Sequence, residues 1–157
     1  MTRRLDTQAV LPEATTAMAG LERVVRQSTI EPLLLELVRL RSSQLNGCAF
    51  CVDMHTKDAR AMGEDEQRLH LVAVWREAPG FSPRERAALA WAESLTLLPE
   101  TGAPDDAYAE VAAQFDEREQ VALTLAIVAI NGWNRLSVGF RRPAGDYVSR
   151  RAPVAAQ

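Results

Sequence analysis

The chain has 157 residues, of which 47% are hydrophobic and 25% charged, and its formal net charge is -3. A chain of this size and composition can bury a core without disulfide staples, so we expect one folded domain over residues 1–157. The weakly acidic charge argues against nucleic acid or a membrane surface as a partner.

The N-terminal residues MTRRLDT are not followed by the uninterrupted apolar segment of a secretion signal. The later apolar stretch over residues 121–130 is shorter than the ~18 residues that a membrane-spanning helix needs. We therefore expect a cytoplasmic protein. Thiols in the cytoplasm are kept reduced, so the two cysteines are expected to be catalytic or metal-binding rather than structural.

Helical periodicity dominates the first half of the chain. Apolar spacing predicts helices over residues 11–26 and 30–45, and the second is apolar around most of its circumference, which is typical of a buried helix. Asn46-Gly47 ends this helix, because both residues tolerate the left-handed backbone conformation. Two further helices are predicted over residues 48–62 and 64–77.

Clear start signals organise the second half. The sequence SPRE from Ser82 is a capping-box pattern for a helix that reaches residue 98, and residues 99–104 are predicted to be a loop. Helices over residues 105–115 and 116–132 follow, and residues 136–157 are predicted to form an irregular tail after a core of about residues 12–135. The sequence therefore predicts an all-α single domain of about six to seven helices.

Cys48, Cys51 and His55 are spaced so that they share one side of a helix that begins near Cys48. The helix dipole, the second thiol and the imidazole all favour a thiolate. A cysteine that a peroxide oxidises to a sulfenic acid can condense with a neighbouring thiol, which gives a disulfide and prevents over-oxidation. The pattern therefore indicates a redox-active dithiol, with no cofactor required.

Two other interpretations of the cysteines stay open. With His70 they could form a zinc site of two cysteines and two histidines, although no second cysteine pair exists and zinc ligand pairs usually flank a turn. They could also be unreactive buried thiols, since free cysteine is among the most buried residue types. We expect His70 to be a structural or surface residue and predict no metal site.

Glu36 lies within a leucine-rich segment, where an unpaired buried carboxylate would cost several kcal/mol. It either faces solvent near Arg39 or Arg41, or has a functional partner. Later in the chain, the sequence NGWNR from Asn131 follows an apolar helix. Its Asn-Gly pair is expected to end that helix near Gly132, and Asn134 is a candidate for a supporting role beside the dithiol.

The run from Glu36 to Arg60, ELVRLRSSQLNGCAFCVDMHTKDAR, resembles the core of AhpD-like alkylhydroperoxidases of the carboxymuconolactone decarboxylase superfamily. The resemblance covers about residues 30–75 and extends to NGWNR. It implies an all-helical, homo-oligomeric protein, from dimer to hexamer, that reduces organic hydroperoxides or hydrogen peroxide with an external dithiol or protein reductant.

The resemblance also implies roles for individual residues. Cys51 maps onto the peroxidatic cysteine, Cys48 onto the resolving cysteine, and His55 and Glu36 onto the proton relay. The helix dipole alone would have favoured Cys48 as the more acidic thiol. Phe50 stands where a well-known mycobacterial family member has a further relay histidine.

The dithiol also bears on the choice of activity. Decarboxylase members of the superfamily generally lack the cysteine pair, which argues against lactone decarboxylation. A non-enzymatic redox sensor or disulfide-exchange module is the alternative to a peroxidase, and the rate of reaction with peroxide would separate the two.

Overall fold

Helices make up the regular secondary structure of residues 2–153, the part of the chain that the computed structural model describes, and that part contains no strand. This confirms the predicted all-α class, with more helices than the six to seven expected. In chain order the elements are α1 (Thr7–Val10), α2 (Pro12–Arg26), α3 (Pro32–Leu45), α4 (Ala49–Ala61), α5 (Glu66–Leu71), a 3₁₀ turn (Val72–Val74), α6 (Pro83–Thr96), α7 (Leu98–Thr101), α8 (Asp105–Gln114) and α9 (Glu117–Gly139).

Helix starts follow the local sequence signals closely. The Ser82 side chain accepts from the backbone N–H of Glu85, whose carboxylate accepts from the N–H of Ser82, so the predicted capping box of α6 is confirmed. Asp116 and Glu119 form a second capping box at the start of α9. Each box satisfies two of the backbone donors that a helix start leaves free.

The turn between α3 and α4 determines where the cysteine pair lies. Gly47 has a φ of +63°, which side chains disfavour, and the N–H of Cys48 donates to the carbonyl of Ser43 at 3.0 Å. This is the glycine-terminated helix end that Asn46-Gly47 predicts. The chain then re-enters a helix at once, with Cys48 as the N-cap of α4.

The predicted end of α9 is wrong. We expected Asn131-Gly132 to stop the helix, but α9 continues to Gly139. The segment without regular structure therefore begins at residue 140 instead of the predicted residue 136. The Asn131 amide donates to the carbonyl of Ile127 one turn earlier and to Thr96 of α6, so it packs rather than caps. A Cβ on Gly132 would lie 2.8 Å from the terminal methyl of Met18, so the flexible end of this α2 side chain packs directly on α9 at the glycine.

Smaller differences occur in the loops. The predicted loop 99–104 contains the short helix α7, and the predicted helix 64–77 is α5 followed by a 3₁₀ turn. The short helix α1 was not predicted; its N-cap Asp6 accepts from two backbone N–H groups. These one-turn elements are too short for a periodic apolar pattern to reveal.

Helix α3 is the centre of the fold and packs against α4, α6 and α9. Leu34, Leu35 and Val38 belong to a core cluster with residues of α6, α8 and α9. Leu37 and Leu40 belong to a second cluster with residues of α4 to α6, including Trp75. Because both sides of α3 are covered, a polar residue on this helix can be fully enclosed.

Helix α9 has 23 residues and is long and apolar enough, by length and composition alone, to cross a membrane. This corrects the expectation from residues 121–130, which counted only the uninterrupted apolar stretch. Half of its most apolar window is buried against the rest of the protein, and it packs on α2, α3 and α6. These contacts are those of a core helix.

The segment after α9, residues 140–153, has no regular secondary structure but runs back along α4. The N–H of Gly145 donates to the Asp53 carboxylate at 3.2 Å, and the carbonyl of Gly145 accepts from Lys57 at 2.8 Å. Tyr147 packs edge-on against Phe50, with ring centroids 6.4 Å apart. We call residues 140–153 the C-terminal strap.

Candidate redox site

The cysteine pair lies at the N-terminus of α4. Cys48 and Cys51 form a disulfide, and each is only 1% exposed. As the N-cap, Cys48 accepts from the N–H of Cys51 at its sulfur, at 3.3 Å. A sulfur at this position is close to the positive end of the helix dipole, which favours a thiolate when the pair is reduced.

Glu36 of α3 and His55 of α4 meet beside the pair. Glu36 is 1% exposed, and its Oε2 lies 2.6 Å from Nδ1 of His55. Glu36 is therefore not the solvent-facing residue that one interpretation of the sequence allowed. Because Nδ1 faces a carboxylate, it carries the proton, and Nε2 is the nitrogen left to act on other groups.

Arg39 completes the surroundings of Glu36. It donates to Oε1 of Glu36 at 2.8 Å and to Oε2 of Glu22 at 2.7 Å. Burial alone would raise the pKa of Glu36, but the hydrogen bond and charge of His55, with the charges of Arg39 and Arg151, lower it to about 2. Glu36 is therefore ionised at neutral pH in spite of its burial.

His55 Nε2 is buried and has no hydrogen-bond partner among residues 2–153. An unpaired polar atom of this kind is rare in a folded interior and calls for an explanation. His55 lines a cavity of about 470 Å³, and Cys51 lines the same cavity, whereas Cys48 does not. Cys51 and the His55 imidazole therefore share one cavity wall, and the imidazole has one nitrogen that is free of other partners within residues 2–153.

Apolar and cationic groups share the rest of the cavity wall. Phe50 is 8% exposed, and the Arg142 guanidinium lies 3.6 Å from the centre of its ring. Where the relay histidine of a related enzyme would stand, this chain thus has an aromatic ring under a cation. The lining residues include Phe50, Met54, Trp133, Tyr147, Arg26, Arg142 and Arg150.

Asn134 supports the turn before Cys48 rather than the cavity. It is 1% exposed, its Nδ2 donates to Ser43 at 3.0 Å, and its Oδ1 accepts from Asn46 at 2.9 Å. Asn46 also donates to Asn131 at 3.0 Å. The NGWNR segment therefore ties α9 to the end of α3, two residues before the cysteine pair begins.

Asp58 is a buried member of the site that sequence reasoning missed. It accepts from Tyr147 at 2.8 Å and from Ser149 at 2.6 Å, and Arg151 Nε lies 3.6 Å away. Burial and the hydrogen bond to Asp58 raise the pKa of Tyr147 to about 12. Asp58 follows His55 by three residues, so helical spacing could have placed it beside His55, but its partners come from the distant strap.

The structure offers no support for the zinc interpretation. His70 is exposed and lies 3.6 Å from the Glu66 carboxylate on the surface of α5. Within residues 2–153, no group of three or more histidine, cysteine or acidic side chains is arranged to hold a metal ion.

Comparison with known proteins identifies the family. The model of the carboxymuconolactone decarboxylase family matches residues 11–94, which contain the cysteine pair, Glu36 and His55. The chain belongs to the carboxymuconolactone decarboxylase family. The YdfG protein of Bacillus subtilis, itself uncharacterised, is 44% identical over 146 residues, which cover 93% of this chain and 99% of YdfG.

Solved structures identify the branch of the carboxymuconolactone decarboxylase family. The crystal structure of ATU0492 from Agrobacterium tumefaciens matches with a TM-score of 0.89 and 45% identity, covering 93% of this chain and all of that one. ATU0492 is described as a protein of unknown function and a candidate AhpD protein of antioxidant defence. The resemblance to AhpD-like members is therefore confirmed.

A more distant structure shows the fold alone. The debrominase Bmp8 matches with a TM-score of 0.80 at 19% identity, covering 89% of this chain and 75% of Bmp8. This chain therefore has the same fold as a protein named as a debrominase, and because a fold does not determine an activity, the activity has to be argued from the site.

Proposed function

We propose that this protein is a thiol-dependent peroxidase that reduces organic hydroperoxides or hydrogen peroxide through Cys48 and Cys51. One observation carries the proposal: Cys51 and His55 line the same cavity, His55 Nε2 has no hydrogen-bond partner within residues 2–153, and the buried Glu36 carboxylate accepts from His55 Nδ1. A nucleophile, a base and a group that orients the base are the parts that covalent catalysis requires.

The cycle begins with both cysteines reduced. The Cys51 thiolate attacks one peroxide oxygen, the O–O bond breaks, and the products are a sulfenic acid on Cys51 and an alkoxide that takes up a proton to leave as the alcohol. The Cys48 thiol then attacks the sulfenic sulfur and releases water, which forms the disulfide. An external dithiol or protein reductant supplies two electrons and two protons to restore both thiols.

His55 and Glu36 handle the protons in this scheme. His55 Nε2 takes the proton from the Cys51 thiol and returns it to the departing alkoxide. Glu36, ionised because its pKa is about 2, fixes the imidazole through Nδ1 and stabilises the imidazolium form. Arg39 neutralises the second carboxylate oxygen and keeps Glu36 in place.

The two sulfurs receive different roles because their surroundings differ. Cys51 lines the cavity in which we place the peroxide, while Cys48 lies at the helix N-cap beside the turn at Gly47. The helix dipole stabilises Cys48 as a thiolate, which suits both its attack on the sulfenic acid and its role as leaving group when the disulfide is reduced. We therefore assign Cys51 as peroxidatic and Cys48 as resolving.

The proposal also covers the location, the cofactor requirement and the oligomeric state of the protein. A cytoplasmic location would supply the reductant, since that compartment keeps thiols reduced. No cofactor is needed, because the two sulfurs carry both electrons. We propose that the protein acts as a homo-oligomer of two to six subunits, as AhpD-like proteins are expected to do.

The test is hydroperoxide consumption with dithiothreitol as the reductant. The wild-type protein is expected to consume cumene hydroperoxide at least 100-fold faster than Cys51→Ser, on the order of the loss expected when a nucleophile is removed. Cys48→Ser is the matched variant: it should complete one rapid turnover and then slow down, because Cys51 is oxidised without a resolving thiol. Wild-type turnover no faster than that of Cys51→Ser would refute a peroxidase, and slow stoichiometric oxidation would indicate the sensor instead.

A further inference from the structure

The cavity beside Cys51 is positively charged although the chain as a whole carries a net charge of -3. Its wall holds five arginines and three carboxylates, an excess of two positive charges before His55 is considered. A concave site with low-dielectric walls concentrates such a field. The charged lining residues are Arg26, Arg39, Arg142, Arg150 and Arg151, with Glu22, Glu36 and Asp58.

The carboxylates of the wall are occupied by two of these arginines. Arg39 pairs with Glu22 and Glu36, and Arg151 lies 3.6 Å from both Glu36 and Asp58. Within residues 2–153, the other three arginines of the wall have no carboxylate at ion-pair distance: Arg26, Arg142 and Arg150.

Arg142 is the best placed of the three unpaired arginines. Its guanidinium lies over the ring of Phe50, the residue before Cys51, so a cation stands beside the cysteine pair on an aromatic face. Loss of solvent and the charge of Arg3 lower the pKa of Arg142, and the charge of Asp6 offsets only part of that effect. An anion at this point would therefore gain a charge-assisted hydrogen bond and relieve an unfavourable environment.

The remaining wall is apolar and largely aromatic. Phe50, Met54, Trp133 and Tyr147 line it, and its volume of about 470 Å³ is that of a small-molecule site. A ligand suited to this surface has an apolar body and one anionic end.

We propose that the cavity selects hydroperoxides that carry a carboxylate on an apolar body, with Arg142 as the main carboxylate-binding residue and Arg150 as a second. This preference builds on the proposed peroxidase function, because it names the substrate class of the same site. The peroxide group would meet Cys51 and His55 while the carboxylate meets the guanidinium groups. The apolar body would lie against the aromatic wall between them.

The preference is tested without turnover, by the binding of an unreactive analogue. Isothermal titration calorimetry compares para-isopropylbenzoate with its methyl ester, two molecules of nearly the same shape that differ in charge. The wild-type protein is expected to bind the carboxylate about tenfold more tightly, the size of one well-placed ion pair. Raising the ionic strength tenfold should reduce that ratio, since salt screens exposed charges.

Three variants assign the preference to the cavity. Arg142→Gln is expected to reduce the ratio of carboxylate to ester affinity about fivefold, and Arg142→Lys should retain part of it, because the charge remains. Arg150→Gln should reduce the affinity ratio less. Arg150 is an exposed residue of the C-terminal strap, so this substitution should not disturb folding. Arg118→Gln is the matched control: it removes the same charge from the exposed first turn of α9, outside the cavity wall, and should leave the ratio unchanged.

The outcomes separate this inference from the peroxidase itself. Equal affinity for acid and ester, no binding of either, or a ratio that Arg118→Gln lowers as much as Arg142→Gln does would overturn the carboxylate preference. Turnover of cumene hydroperoxide, which carries no charge, would still stand in that case. A carboxylate preference that depends on Arg142, found in a protein without peroxide turnover, would instead support the binding site and refute the reaction.

Discussion

The contact between Glu36 and His55 is the residue-scale feature on which the proposed chemistry depends. A buried carboxylate is costly unless it is paired, and here one oxygen faces an imidazole and the other a guanidinium. The sequence could supply the two residue types and their spacing on α3 and α4. The sequence could not show that Arg39 pairs with both Glu36 and Glu22. Nothing in the local sequence distinguishes Arg39 from the nearby Arg41, which pairs with Glu93 instead.

The low pKa of Glu36 makes a prediction about acid stability. Its pKa falls from the ordinary 4.5 to about 2 on folding. Its ionised form therefore stabilises the folded state fully above pH 4.5, and that contribution is lost as the pH falls toward 2. Glu36→Gln should lower the free energy of unfolding by about 3 kcal/mol at neutral pH, since each pKa unit is worth about 1.4 kcal/mol.

Urea unfolding between pH 7 and pH 2.5 measures this difference. The gap between wild type and Glu36→Gln should narrow as the pH falls below 4.5. Glu22→Gln is the matched control, because it removes a carboxylate that pairs with the same Arg39 but does not contact His55. It should lower the free energy of unfolding by less than Glu36→Gln does. A gap between wild type and Glu36→Gln that stays constant across this pH range would contradict the depressed pKa.

At the scale of elements, helix starts could be predicted from the sequence and helix ends less well. The capping box at Ser82 is a local pattern and was predicted, and the box at Asp116 is formed by an equally local pair of residues, although it was not predicted as one. The end of α9 was misplaced because Asn131 and Asn134 use their side chains to reach α6 and α3 instead of closing the helix. Whether an Asn-Gly pair caps or packs depends on neighbours that are distant in sequence.

The turn at Gly47 gives the prediction for this scale. With φ at +63°, Gly47→Ala should destabilise the protein by about 1 kcal/mol, because the left-handed conformation strains a Cβ. Gly20 lies in the interior of α2 and is half-buried, but a Cβ there would meet nothing within 4 Å, so Gly20→Ala should instead stabilise the protein by about 0.5–1 kcal/mol. Urea unfolding of both variants measures the two changes in the free energy of unfolding, which should have opposite signs. A Gly47→Ala variant that is as stable as the wild type, or more stable, would contradict the expected strain at this turn.

At the scale of the whole molecule, the cavity forms where five segments of the chain meet. Helices α2, α3 and α4 and the end of α9 supply most of its wall, and the C-terminal strap adds Arg142, Tyr147, Arg150 and Arg151. An irregular tail was predicted for the residues of the strap, and that prediction gave no reason to connect them with the candidate site. The strap is held by side-chain contacts to Asp53, Lys57 and Asp58 of α4, and such long-range pairs leave no periodic trace in a single sequence.

Because the cavity is formed by segments that are distant in sequence, the dithiol motif alone could not determine the activity. A pair of cysteines three residues apart is compatible with metal binding, redox exchange or burial without function. The fold narrows the choice by enclosing Cys51 in a cavity with His55 while leaving Cys48 outside it. The central claim is therefore that peroxide reacts at Cys51 first.

Trapping of the sulfenic acid tests that claim most directly. Reduced Cys48→Ser is mixed with one equivalent of cumene hydroperoxide and then with dimedone, and the labelled cysteine is identified by peptide mass spectrometry, with Cys51→Ser treated in parallel. The account predicts rapid, nearly complete labelling of Cys51 in Cys48→Ser and at least tenfold slower labelling of Cys48 in Cys51→Ser. Equal labelling rates in the two variants, or no labelling of Cys51, would contradict it.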